Sequence, residues 1–299
     1  MNAAPQMTKL RGNLLLQEPM SRHTSWRIGG PADRYYQPAD IEDLARFLQQ
    51  LPENEPVFWL GLGSNLLVRD GGIRGTVIAT SGVVNNLESI DDHTVRAEAG
   101  VSCAKVARFC ARAGLTGAEF LAGIPGTMGG ALAMNAGAFG GETWDVVTAV
   151  ETLDQQGQLH TRLPEEYIIS YRHVSGPANE WFVSATLMLK KGDVEAGQAR
   201  IKELLARRND TQPTQQPNAG SVFRNPENDY AARLIESCGL KGLCEGAACV
   251  SEKHANFIVN KGGAKAIDVE KLIERVAATV EDKQGVRLKR EVHIVGEAA

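Results

Sequence analysis

Gly61-Leu62-Gly63-Ser64-Asn65-Leu66-Leu67 follows directly on the apolar run Val57-Phe58-Trp59-Leu60. The run reads as a strand. The glycines that end it let the backbone take positive φ and turn its N–H groups toward an anion. Ser64 and Asn65 add side-chain hydrogen bonds. A Rossmann loop would open a helix and repeat glycine three residues on. Here the chain continues Leu67-Val68-Arg69-Asp70-Gly71-Gly72, a strand and a turn, which argues against that fold. There is no P-loop with its lysine either.

A second glycine-rich stretch, Gly123-Ile124-Pro125-Gly126-Thr127-Met128-Gly129-Gly130, runs on through alanine and glycine to Glu142. Few of its side chains carry charge. It offers close, rigid backbone approach to something flat or phosphorylated. A tight connection without a ligand would explain either stretch alone. Two in one region favour a dinucleotide-type ligand, its pyrophosphate held by one loop and a ring lying along the other.

Residues 40–51 place Ile41, Leu44, Phe47, Leu48 and Leu51 on one helical stripe behind Asp40 as N-cap. Strands are predicted over 66–68, 76–79 and 94–99. Ser102 caps a helix with Val106, Phe109, Cys110 and Ala113 on one face, stopped by Gly114. Strands resume over 147–153, 158–162 and 181–190. A helix over 194–208 and a polar, proline-containing linker over 211–218 follow. Then come a helix over 229–238, a strand over 255–260 and a helix over 268–284. The last run, 286–295, alternates, with Val286, Leu288, Val292 and Ile294 on one side and Arg287, Lys289, Glu291 and His293 on the other. Strands and helices are interspersed without the regular order of a doubly wound sheet, so the class is α+β.

With 299 residues, two or three domains are expected. Aromatic residues at 6% and a net charge of −4 disfavour a nucleic-acid surface. No apolar run approaches the ~18 residues of a membrane span. Met1 to Leu16 lacks a charged leader before an apolar block, so no signal peptide is expected. The odd count of five cysteines suggests reduced thiols in a cytosol. Cys238, Cys244 and Cys249 contain no C-x-x-C pair, which makes a poor zinc site, and no metal is expected.

The two glycine stretches together resemble the UDP-N-acetylenolpyruvoylglucosamine reductases. Further pieces fit in order: His23-Thr24-Ser25-Trp26-Arg27-Ile28-Gly29-Gly30, Ser170-Tyr171-Arg172, Gly220-Ser221-Val222-Phe223-Arg224-Asn225-Pro226, Lys253-His254-Ala255-Asn256-Phe257-Ile258-Val259-Asn260, and Glu291-Val292. The resemblance spans nearly the whole chain, and the length is that of the shorter subclass, without an inserted substrate-covering loop. It departs at Arg224, where many relatives carry lysine, and over 207–216, where the family's diphosphate contacts find no clear match.

The resemblance implies a two-domain FAD-binding module of the vanillyl-alcohol-oxidase (PCMH) type plus an α+β substrate-binding domain. The expected units are 1–82, 83–193 and 194–299. It implies FAD as cofactor, NADPH as co-substrate and a UDP-sugar substrate, in a cytoplasmic monomer. FAD would be held by Gly61, Gly63, Ser64, Asn65, Leu66, Gly100, Gly123, Ile124, Pro125, Gly126, Gly129, Gly130, Asn135, Gly137 and Ala138. The UDP-sugar would meet Tyr171, Asn225, Lys253 and His254. Ser221 is the family-matched proton donor, Arg172 the stabiliser of a developing enolate, and Glu291 an acid beside the substrate carboxylate. Without the resemblance, Ser221 reads as a turn serine, Arg172 as a surface arginine, and Glu291 as part of a solvated strand face. Two other functions compete: an FAD-linked oxidase of a different small molecule, and a nucleotide-sugar binding module without flavin.

Overall fold

The computed structural model describes residues 10–299. Met1 to Lys9, where the N-terminal segment and the first expected unit begin, lie outside the described residues. The first unit contains β1 (Asn13–Pro19), β2 (Pro31–Gln37), α1 (Ile41–Gln50), β3 (Val57–Leu60), β4 (Leu66–Val68) and β5 (Ile73–Ala79). Its sheet has the order β1-β2-β5-β3, antiparallel between β1 and β2 and parallel from there on. α1 begins where predicted: the Asp40 carboxylate accepts the Asp43 amide at 2.8 Å. Its stripe of Leu44, Phe47 and Leu48 is buried, with Phe47 stacked on Tyr36. Leu153 and Val183 of the next unit close the same core.

The second unit contains β6 (Leu87–Ser89), β7 (Thr94–Glu98), α2 (Cys103–Arg112), α3 (Met128–Ala133), β8 (Val147–Asp154), β9 (Leu159–Arg162), β10 (Ile168–Ser170), β11 (His173–Ser175) and β12 (Glu180–Met188). Five strands make an antiparallel sheet in the order β9-β8-β12-β7-β6. α2 is capped by Ser102, which accepts the Lys105 amide, and Gly114 follows it at φ 69°. Val106, Cys110 and Ala111 seal the core beneath the sheet. Burial pushes the Cys103 and Cys110 thiols up to about 12.

The next helix, α4 (Val194–Thr211), runs past its predicted end. It also does not sit where the 193/194 division expects it. Ile201 belongs to the second unit's core with Leu205 packed against it, and a Cβ on Gly197 would come within 3.2 Å of Ala111 in α2. By packing, the third unit starts after α4, in the segment read as a linker.

That unit holds α5 (Ala231–Ser237), a small antiparallel sheet of β13 (Cys244–Glu245), β14 (Ala248–Val250) and β15 (Ile258–Asn260), then α6 (Ala266–Gln284) and β16 (His293–Val295). Leu234, Ile235, Val269, Leu272 and Val276 form its core, joined by Trp26, Ile28 and Leu67 of the first unit. Trp26 Nε1 donates to the Ile258 carbonyl at 2.7 Å, and Asn260 Nδ2 donates to the Trp26 carbonyl at 3.0 Å. The predicted final strand shrinks to β16, which pairs parallel to β4. Residues 289–292 run instead beside residues 222–224. The reduced-thiol expectation fails for two cysteines: Cys244 and Cys249 face each other across the β13–β14 pair and are joined as a disulfide. Among the described residues no helix is long and apolar enough to cross a membrane.

Candidate active site

The β3–β4 turn and the second glycine stretch wall one side of a cavity of about 730 Å³. That size lies within the range of roughly 300–1,000 Å³ usual for cofactor and small-molecule sites. The opposite wall comes from the end of α4, from 219–221 and from the segment leading into β16. Gly63 takes φ 66°, and a Cβ there would strike the His23 carbonyl at 2.1 Å, so only glycine closes this turn. At Gly126 and Gly130 the nearest atoms to a Cβ lie at 3.7 Å, which leaves bare backbone against the cavity. A flat or phosphorylated group can therefore approach the chain itself.

Three side chains expected to do chemistry reach this cavity: Arg172, Ser221 and Glu291. Arg172 sits in the two-residue turn between β10 and β11, at φ 55°. Non-glycine residues rarely adopt this left-handed conformation, and such strain clusters at functional positions. Its Nε donates to Glu291 Oε1 at 3.0 Å, and its two Nη atoms donate to the carbonyls of Asn135 at 3.4 Å and Gly137 at 3.0 Å. Three of five guanidinium donors are thus engaged, and the group is aimed with two to spare.

Ser221 follows Gly220, whose φ of 73° turns the chain into the cavity. The buried Asn256 clamps the next residues. Its Oδ1 accepts the Phe223 amide at 2.9 Å, its Nδ2 donates to the Phe223 carbonyl at 2.8 Å, and its carbonyl accepts the Val222 amide at 2.9 Å. The Glu291 amide donates to the Val222 carbonyl at 2.8 Å. Asn65 of the first glycine turn donates to the Glu291 carbonyl at 3.3 Å and accepts the His293 amide at 3.1 Å. One backbone network therefore sets serine, glutamate and glycine turn relative to each other. The Glu291 side chain is only 12% exposed. Burial pushes its carboxyl above the usual range, and Arg172 and Arg224 offset part of that.

Of the expected FAD contacts, Gly61, Gly63, Ser64, Asn65, Leu66, Gly123, Ile124, Pro125, Gly126, Gly130, Gly137 and Ala138 line the cavity. Three do not. Gly100 is packed so that a Cβ would lie 1.9 Å from the Thr80 carbonyl, and Gly129 faces Ala99. Asn135 is buried, with its amide spent on Glu142 and the Trp144 backbone. Gly129 lines a smaller neighbouring pocket of about 290 Å³ instead, with Trp59, Tyr167 and Trp181.

None of the four expected sugar contacts lines the cavity. Asn225 accepts the Ala231 amide at 3.1 Å and so caps α5. Lys253 donates to the Asn209 carbonyl. His254 packs edge-on to Phe257. Tyr171 is exposed, its ring 5.1 Å beneath the Arg172 guanidinium. In their place stand Arg207, Arg208, Gln212, Phe257 and His293. Burial lowers the Arg208 guanidinium, which has no carboxylate partner among the described residues and donates only to Gln212 Oε1 at 3.2 Å. The adjacent arginines were the visible signal in a segment that otherwise reads as helix end and linker.

Residues 32–162 match the model of the FAD binding domain, and residues 212–295 match that of the UDP-N-acetylenolpyruvoylglucosamine reductase C-terminal domain. The UDP-N-acetylenolpyruvoylglucosamine reductase of Nitrosococcus oceani is 63% identical over 97% of each chain. That of Alkalilimnicola ehrlichii is 62% identical over 96% of each. A crystal structure of the corresponding reductase from Thermus caldophilus superposes with a TM-score of 0.82 at 35% identity, covering 96% of this chain and 99% of that one. With this breadth of identity, and with both of its parts matched in order, the chain belongs to the UDP-N-acetylenolpyruvoylglucosamine reductase family.

Proposed function

We propose that the chain reduces the enolpyruvyl ether of UDP-N-acetylglucosamine to UDP-N-acetylmuramate, with FAD as cofactor and NADPH as co-substrate, for peptidoglycan precursor synthesis. In this reading it works as a cytoplasmic monomer that supports cell shape and division. The observation that carries the proposal is the meeting of Arg172, Ser221 and Glu291 on one cavity with both glycine stretches. FAD fits the residues present: the bare backbone at Gly126 and Gly130 suits a close flat or phosphorylated group, and Ser64 and Asn65 lie beside it. Held against these residues, FAD would supply the hydride-transfer chemistry that links NADPH to the terminal alkene carbon of the substrate.

The remaining steps fall to this chain. The substrate carboxylate is conjugated to the alkene, so charge left at the inner carbon spreads into it. Arg172 has two free donors for that carboxylate and is preorganised by its backbone contacts. A protonated Glu291 adds a neutral donor where an ionised one would repel. Ser221 gives its proton to the inner carbon, which completes addition of one hydride and one proton across the double bond. A serine hydroxyl is a weak acid, so it protonates only a centre as basic as this one. Arg207 and Arg208 are the cavity's cations for phosphate.

Absorbance under anaerobic mixing tests the proposal. The purified protein should be yellow, be bleached by NADPH, and recover its colour on addition of the enolpyruvyl UDP-sugar alone. Recovery with oxygen only would favour an oxidase. A colourless protein that cannot take up FAD would leave a binding module.

A further inference from the structure

Residues 222–224 and 289–291 lie antiparallel, with Phe223 opposite Arg290, and the Arg224 amide donates to the Lys289 carbonyl at 2.8 Å. In such a pair, residues directly opposite share a face, so Val222 and Arg224 lie on the side of Glu291 and Lys289. Arg224 is then the diagonal neighbour of Glu291, a spacing of roughly 7–8 Å that a long side chain spans. It does not line the cavity, whereas Glu291 does. Its Nε is buried without a hydrogen-bond partner among the described residues. Arg172 approaches the same carboxyl from the second unit, at 3.0 Å.

We infer that Arg224 is a positioning residue that acts on the reaction through Glu291, as a second cation on the same face that acts on the carboxyl at longer range than Arg172. Its charge tempers what burial does to the acid: burial favours the protonated carboxyl, and the two cations oppose it. Lys289 and Arg290 are the other cations on its own segment, burial and the neighbouring arginines hold His293 toward its neutral form, and Asn65, from the glycine turn, brings no charge.

The inference rests on Glu291 acting in the sugar half-reaction, and the test separates the two. FAD-loaded enzyme is reduced with NADPH, and re-oxidation by the enolpyruvyl UDP-sugar is followed in single turnover across pH. In the wild type, re-oxidation falls as pH rises through the Glu291 titration. Arg224→Met removes a cation that favours the ionised form, so the fall should move to higher pH, by roughly half to one unit. Arg224→Gln gives the same reading if the methionine variant folds poorly. Arg224→Lys keeps the charge and should restore the wild-type midpoint. Flavin reduction by NADPH should stay unchanged in all three. A midpoint that stays put in both neutral variants overturns the inference, as does an equal shift in the lysine variant. Glu291→Gln should abolish the fall. If it does not, the role of Glu291 fails, and the Arg224 inference with it.

Discussion

In the proposed reaction Glu291 is the titrating side chain, and its environment sets the sign of the pH dependence expected of it. Burial lifts the carboxyl above its usual range, so the protonated form persists to higher pH than for a free side chain. If that form is the active one, re-oxidation by the UDP-sugar is flat at low pH and falls about tenfold per unit above the titration. Glu291→Gln keeps a neutral donor and should lose about tenfold in turnover, whereas Glu291→Ala should lose roughly 100- to 1,000-fold. Equal losses in steady-state turnover would count against a hydrogen-bonding role. The residue was legible only through the resemblance. By alternation alone it shares a polar face with Arg287 and Lys289, and nothing local says that this face turns inward at one position. The paired arginines at 207 and 208 were visible, but whether Arg208 reaches the cavity depends on where α4 packs.

At the scale of elements, local signals served well where the cap or stripe is local. Asp40 and Ser102 start their helices as read, and Gly114 ends the second. Failures came where a partner arrives from far along the chain. α6 begins two residues before the predicted Asp268, because the Asp70 carboxylate accepts the Ala266 and Ile267 amides at 3.0 and 3.2 Å. Replacing Asp70 with alanine should cost about 1 kcal/mol of stability in denaturant unfolding; an unchanged midpoint would deny the cap. β15 starts later than predicted because Asn256 is turned aside to clamp Phe223. Asn256→Ala leaves buried backbone groups without partners and should cost about 2–3 kcal/mol. It should slow re-oxidation by the UDP-sugar while sparing reduction by NADPH. Equal slowing of both would make Asn256 merely structural. β1 and β2 went unread because the polar run in β2 and the exposed face of β1 mask their alternation.

At the scale of the molecule, the two glycine stretches announced a ligand cavity and the interspersed strands and helices the class of fold, while the way the units interlock lay beyond the sequence. β16 crosses back to β4, Trp26 sits in the third unit's core, and α4 serves the second unit. The first two join residues more than two hundred positions apart, where no periodicity reaches. They also explain why Glu291 and Ser221 face a cavity whose other wall belongs to the flavin-binding part of the chain. In the proposed reaction Ser221 supplies the proton in the second half-reaction alone. Stopped-flow absorbance of Ser221→Ala, loaded with FAD and kept anaerobic, tests it most directly. NADPH should bleach this variant at the wild-type rate, and re-oxidation by the enolpyruvyl UDP-sugar should be slowed by about 100- to 10,000-fold. Re-oxidation at the wild-type rate would contradict it.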